Sequence, residues 1–167
     1  MTLRSLVGLL LLSAGLGLSL GQGQTVVKDG YTKVGFDRLS AFQFVPPYVE
    51  PGVDPTAPVP TGEEQIPEGI KSLTGTKVVV GGFMLPVKVE NGLVTELLLM
   101  RDASACCYGT VPNMNEWIIV RMGKNGIKAV MDTPVFFYGT LTVGAVVEEG
   151  YLAGIYVLEG DKMDQEG

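Results

Sequence analysis

Asn91-Gly92 stands between two long apolar runs, residues 77–89 and 93–100, and no other pair in the chain restricts the fold as much. Both residues tolerate the positive φ that a two-residue hairpin turn demands, so the runs are expected to pair as antiparallel strands. The first run contains Gly81-Gly82 and Pro86, which a flat central strand does not accept. Glycine permits a bend or bulge and proline wants an edge or a bulge, so this strand is expected to coil. Three further strands are read over residues 117–122, 135–143 and 151–158, the last two with Gly139 and Gly154 inside them. Asn125-Gly126 and Glu149-Gly150 supply turn chemistry between them. Curved strands with a long connection between the second and third predict a mainly β domain, a small five-stranded OB-like Greek-key barrel with a short helix and an N-terminal arm. An open antiparallel sheet covered by the arm is the rival. Closure is preferred because it removes the exposed edges of such apolar strands.

The chain before Gly75 divides into segments of different character. Residues 1–21 read as a secretory signal peptide: Arg4 gives charge, a Leu-rich run follows from Leu6 to Leu20, and Ser19 and Gly21 are small enough for a peptidase, with Gly23 as a second cut. A run of about fifteen residues is short for a membrane span, so no stable span is expected once the signal is removed. No Cys lies near the cut, so a lipid-anchored start is not supported. Residues 22–44 form the N-terminal arm, in which Phe36, Leu39 and Phe42 recur at a spacing of three and fit a helical turn or two, or an arm laid on the domain. Residues 45–65, with Pro46, Pro47, Pro51, Pro55, Pro58 and Pro60, read as an extended surface linker. Its functional alternative is a motif for a proline-reading partner. The β-barrel domain is assigned to residues 66–160 and opens on a short helix, with Pro67 in its first turn and Gly75 beyond its end; residues 161–167 are a tail.

Charge and composition exclude several functions. Loss of the signal takes away Arg4 and no acidic residue, so the net charge moves from −6 to about −7. Such a balance repels polyphosphate, which argues against nucleic acid or an anionic membrane surface as partner. The chain has two cysteines and no histidine. Ser-His and Cys-His nucleophile pairs and His-based metal sites are therefore excluded, and no catalytic set is recognisable.

The remaining chemistry is concentrated between the second and third strands, in residues 100–117. This stretch holds Cys106, Cys107, the only tryptophan (Trp117), Met100, Met114, Asp102 and Glu116. Adjacent cysteines have three readings. They form a strained, easily reduced disulfide, they bind a soft metal as thiolates, or they are small buried hydrophobes that never react. A metal reading needs further ligands, for which Met84, Met100, Met114, Asp102 and Glu116 are nearest in kind. Lack of histidine weakens zinc and favours monovalent copper or another soft metal, which suits thiolate and thioether. Asn115 reads as a turn-maker, and Glu116 either as a solvated carboxylate or as a ligand or hydrogen-bond acceptor facing the cysteines. Cys106, Cys107, Met114, Asn115 and Glu116 are thus the candidate binding residues, and Cys106, Cys107 and Met114 the candidate metal ligands. Asn91 and Gly92 are candidate structural turn residues.

The runs Gly82-Phe83-Met84-Leu85-Pro86, Leu97-Leu98-Leu99-Met100, Ala105-Cys106-Cys107-Tyr108-Gly109, Asn115-Glu116-Trp117 and Gly139-Thr140-Leu141-Thr142-Val143-Gly144 resemble an uncharacterised family of exported bacterial proteins, the domain of unknown function DUF3299. The N-terminal Val34-Gly35-Phe36-Asp37-Arg38-Leu39 patch agrees with it. The resemblance implies a periplasmic or envelope location and, in some members, association with ABC-transporter gene clusters, some linked to metal supply. It implies no known reaction. Other branches carry a cysteine followed two residues later by histidine; here Tyr108 takes that place, and Cys106 remains the shared element. These readings converge on an exported, periplasmic or extracellular, non-enzymatic binding or accessory protein, with an envelope protein or transporter component as partner. The rivals are a thiol redox protein using Cys106 and Cys107, and a structural interaction module with inert cysteines.

Overall fold

The computed structural model describes residues 26–27, 30–49, 57–103, 111–123 and 126–166. The segment read as a signal peptide lies outside them. Seven strands form one sheet: β1 (Val26–Val27), β2 (Tyr31–Lys33), β3 (Thr76–Glu90), β4 (Leu93–Met100), β5 (Trp117–Arg121), β6 (Val135–Glu148) and β7 (Tyr151–Asp164). Two one-turn helices, α1 (Phe36–Leu39) and α2 (Glu68–Lys71), precede β3. The protein is therefore mainly β, with a mixed sheet and little helix. Among the described residues no helix is long and apolar enough to cross a membrane.

The strands from β3 onward close on themselves. Their order is β3-β4-β5-β7-β6, and β6 pairs back with β3. The closure depends on β3 changing partner along its length: Thr76 to Gly82 pair with β6, and Phe83 to Glu90 pair with β4. Gly81-Gly82 mark this change, and the strand passes through them unbroken. The bulge signal of Pro86 is met just beyond it, where two compensating register shifts flank Lys88. All contacts in the ring are antiparallel except the three-residue parallel pairing of β5 with β7. Asn91 and Gly92 have φ of 52° and 79°, as the hairpin turn requires, and Glu149 and Gly150 repeat the pattern at 51° and 84°.

Alternate residues of the ring strands point inward, so Val78, Val80, Leu97, Leu99, Ile118, Val120, Phe137, Leu141 and Leu158 form one buried core. The same core contains Phe36, Leu39 and Phe44 of the N-terminal stretch and Ile66, Ile70 and Leu73 around α2. The spacing of three in Phe36, Leu39 and Phe42 thus belongs to an apolar face laid against the ring, with α1 covering only its first turn. Strands β6 and β7 run past the expected ends at Val143 and Leu158, to Glu148 and Asp164. Strand β2 was not legible beforehand. It lies parallel to β3, pairing Thr32 with Val78 and Lys33 with Val79, on the edge opposite β6. It is fastened there by the Tyr31 hydroxyl, which donates to Asp161 Oδ2 at 2.7 Å, and by an edge-on contact of Tyr31 with Tyr138 at 5.2 Å.

Where β6 crosses β7, a Cβ on Gly139 would collide with the Glu159 main-chain carbonyl, whereas a Cβ on Gly69 in α2 would meet nothing within 4 Å. Gly139→Ala should therefore cost about 3 kcal/mol through forced separation of the two strands. Gly69→Ala should be neutral or stabilise by about 0.5 kcal/mol, because it lowers the entropy of the unfolded chain at no steric cost. Urea unfolding of the two variants checks the contrast.

Candidate functional site

The connection between β4 and β5 leaves and rejoins the ring at one point. Arg101, one residue past β4, donates from Nη1 to Glu116 Oε1 at 2.7 Å, and its main-chain N–H donates to the Glu116 carbonyl at 2.9 Å. The other carboxylate oxygen, Oε2, accepts the Asn113 main-chain N–H at 2.8 Å and its side-chain amide at 3.2 Å. Asn113 and Glu116 thereby form a capping box around the short 3-10 turn Met114–Glu116 that leads into β5. Each contact is half-exposed and modest alone, the ion pair adding no more than about 1 kcal/mol. Together they fix both ends of a loop whose middle, residues 104–110, carries Cys106, Cys107 and Tyr108. That middle lies outside the described residues.

Of the five candidate residues, Met114, Asn115 and Glu116 fall among the described residues, and Cys106 and Cys107 lie outside them. Glu116 accepts from Arg101 at one oxygen and from Asn113 at the other, whereas the cysteines it was expected to face as ligand or acceptor lie outside the described residues. Met114 is partly buried and packed against the hydrophobic core. Asn115 is 2% exposed and donates from Nδ2 to the Phe42 carbonyl at 2.6 Å. Its job is to hold the N-terminal stretch on the ring, a role that its reading as a turn-maker missed. Met84 and Met100, the other thioethers considered, are buried. Among the described residues no group of three or more Asp, Glu, Cys or His side chains is placed to hold a metal ion.

A second buried polar group reinforces Asn115. The Tyr156 hydroxyl of β7 donates to the Leu39 carbonyl at 2.8 Å inside the core. Desolvation pushes this phenol well above its ordinary value, because an anion there would lose its water. Sequence gave no hint of the pair, since Leu39 and Tyr156 are 117 residues apart. The Trp117 indole N–H donates to the Ala153 carbonyl at 3.3 Å, which ties the first residue of β5 to β7. The end of the ring where Arg101 and Glu116 meet is thus covered by α1 and the residues following it, pinned by Asn115 and Tyr156.

A ring of five hydrogen-bonded strands, with its own N-terminal stretch packed into the core, defines a small, mainly β protein. The chain belongs to the family described as protein of unknown function (DUF3299), whose model matches residues 62–165. It is similar to the crystal structure of a DUF3299 family protein from Pseudomonas aeruginosa PAO1. The two are 21% identical with a TM-score of 0.58, over 82% of this chain and 97% of that one, a likeness that speaks to the fold. No curated protein matches the sequence.

Removing either buried donor strands a carbonyl. Asn115→Ala and Tyr156→Phe should each cost about 1–3 kcal/mol in denaturant unfolding. The Tyr156 contribution has a pH signature. Below the ordinary phenol value of 10.0 the group is neutral in both states and its contribution is constant. As pH rises past that value the unfolded chain ionises while the folded phenol resists, so stability falls. Tyr156→Phe should show a shallower loss above that pH than the parent.

Proposed function

We propose that this chain is an exported, non-enzymatic binding protein: a small five-stranded barrel of the OB type that presents the Cys106-Cys107 loop to a ligand or partner in the cell envelope, in support of a transport system. The OB reading is favoured by the order of the ring, in which the fourth ring strand, β6, returns to lie beside the first, β3, as in a Greek key. The fifth, β7, then closes the gap with the one parallel contact. The absence of histidine from the sequence and the resemblance of its motifs to a family of exported proteins favour binding in the envelope over catalysis.

The observation that carries this reading is the staple at Arg101, Asn113 and Glu116. Its three hydrogen bonds to the Glu116 carboxylate hold the loop's two ends on a rigid rim, which lowers the entropy lost when the loop engages a ligand. With Glu116 engaged and Met114 packed in the core, the chemistry left for a soft ion is that of the two thiolates. Monovalent copper accepts such a pair readily.

Reduced protein should bind monovalent copper one to one in competition with a chelator of known affinity. Replacing Cys106 and Cys107 by Ser should weaken binding by about a hundredfold or more, and Met114→Leu should change it by less than about threefold. Unchanged affinity in the double variant would eliminate the copper site. A cysteine pair that is isolated oxidised and reduces rapidly would favour the redox alternative instead. N-terminal sequencing of protein recovered from the envelope tests export: a start after Gly21 or Gly23 is expected, and an intact Met1 on most molecules would contradict it.

A further inference from the structure

Burial from Phe44 to Val49 repeats every three residues. Phe44 is buried, Val45 and Pro46 are exposed, Pro47 is half-buried, and Tyr48 and Val49 are exposed again. A β-strand would alternate with a period of two, and an α-helix would not expose two adjacent residues in every three. A repeat of three is that of a 3-10 helix or of the left-handed polyproline II helix, and residues 43–49 lie outside the hydrogen-bonded helices and show no main-chain hydrogen bond among themselves, which leaves the second. The residues present favour it: the rings of Pro46 and Pro47 fix their own φ, and each proline pushes the residue before it, Val45 or Pro46, toward the extended region.

This conformation makes no internal hydrogen bonds, so its main chain must be satisfied from outside. The Gln65 side-chain amide does so at Val45, with Oε1 accepting the N–H at 3.0 Å and Nε2 donating to the carbonyl at 2.9 Å. Pro47 rests beside Gly62, where a Cβ would approach its ring carbons to 3.2 Å. Phe44 and Pro47 therefore face the protein. The two outward edges carry Val45 with Tyr48, and Pro46 with Val49. Val45, Tyr48 and Val49 are 58%, 78% and 44% exposed. No Lys or Arg occurs in residues 45–65, whereas Glu50, Asp54, Glu63 and Glu64 do.

The geometry points to a preformed ligand ridge: residues 44–49 dock into a partner protein whose groove is lined by aromatic side chains and rimmed by Lys or Arg. Aromatic grooves read the two outward edges of such a helix, and a segment already held in the bound conformation loses little entropy on docking. A basic rim is complementary to Glu63 and Glu64, which share a turn with the Gln65 that clasps Val45. The inference concerns a different surface from the cysteine loop and does not rest on it.

The test replaces Tyr48 by the photoreactive residue p-benzoylphenylalanine in the full chain, irradiates cells that export it, and maps the cross-linked peptides by mass spectrometry. The expected result is one partner protein, cross-linked at or beside a Trp or Tyr. When that partner is purified and recombined with the chain, Tyr48→Ala should weaken binding by about tenfold or more. Pro46→Ala and Gln65→Ala should weaken it less, Tyr151→Ala at an equally exposed tyrosine should leave it unchanged, and added salt should weaken it. Cross-links confined to lipid or to a second copy of this chain would overturn the proposal. So would the absence of any cross-link, or reconstituted binding indifferent to Tyr48→Ala.

Discussion

The pairing of β3 with two strands in succession is the constraint on which the rest of the structure depends. Its first half is hydrogen-bonded to β6 and its second half to β4, so the last-formed edge of the sheet returns to the first. Without that exchange, β3 and β6 would each present an open apolar edge, and the inward residues of the ring strands would line a trough instead of an enclosed core. The exchange falls at Gly82, where a Cβ would come within 2.5 Å of the Met100 carbonyl, so the close approach of β3 and β4 at this corner tolerates no side chain.

A closed ring has ends, and one of these is covered by the N-terminal stretch. Leu39, Phe36 and Phe44 fill it, but apolar contact alone would let such a short stretch slide or lift. Two buried donors, one on β7 and one in the 3-10 turn before β5, prevent this by fixing its carbonyls: Tyr156 at Leu39 and Asn115 at Phe42. Because Asn115 lies within the turn that closes the cysteine loop, one residue before Glu116, the cover and the loop share an anchor. The Gln65 clasp on Val45 then holds the chain as it leaves the cover. The flanks of the cysteine segment and residues 44–49 thus depend on the same packed end.

Much of this was legible in the residues. Asn91-Gly92 specified its hairpin because a positive φ at two successive positions admits few sequences. The Phe36, Leu39 and Phe42 spacing, and the Pro67 and Gly75 boundaries of the helix at α2, were readable for equally local reasons. What escaped was non-local or short. Strand β2 has three residues, too few to show alternation, and its pairing with Val78 and Val79 depends on a strand far along the chain. The outer length of β6 contains Glu148 and pairs with the start of β7, and that of β7 contains Glu159 and pairs with the start of β6, so pairing and not hydrophobicity marks them. At the candidate site, local chemistry left Glu116 open between a solvated carboxylate and a ligand or acceptor for the cysteines. It could not reveal that Arg101 would consume it, nor that Asn115 would be buried by a segment 73 residues away.

Native-state hydrogen exchange can establish whether the N-terminal cover and the ring are one cooperative unit. The informative amides are Val34, which donates to the Val79 carbonyl, and Ser40, which donates to the Phe36 carbonyl. If the cover is integral, these amides should open with the same free energy and the same denaturant dependence as those of the β3–β6 ladder, through global unfolding. Exchange of Val34 and Ser40 through small local openings, while the ladder stays fully protected, would contradict a ring that relies on its own N-terminal stretch for closure of the core.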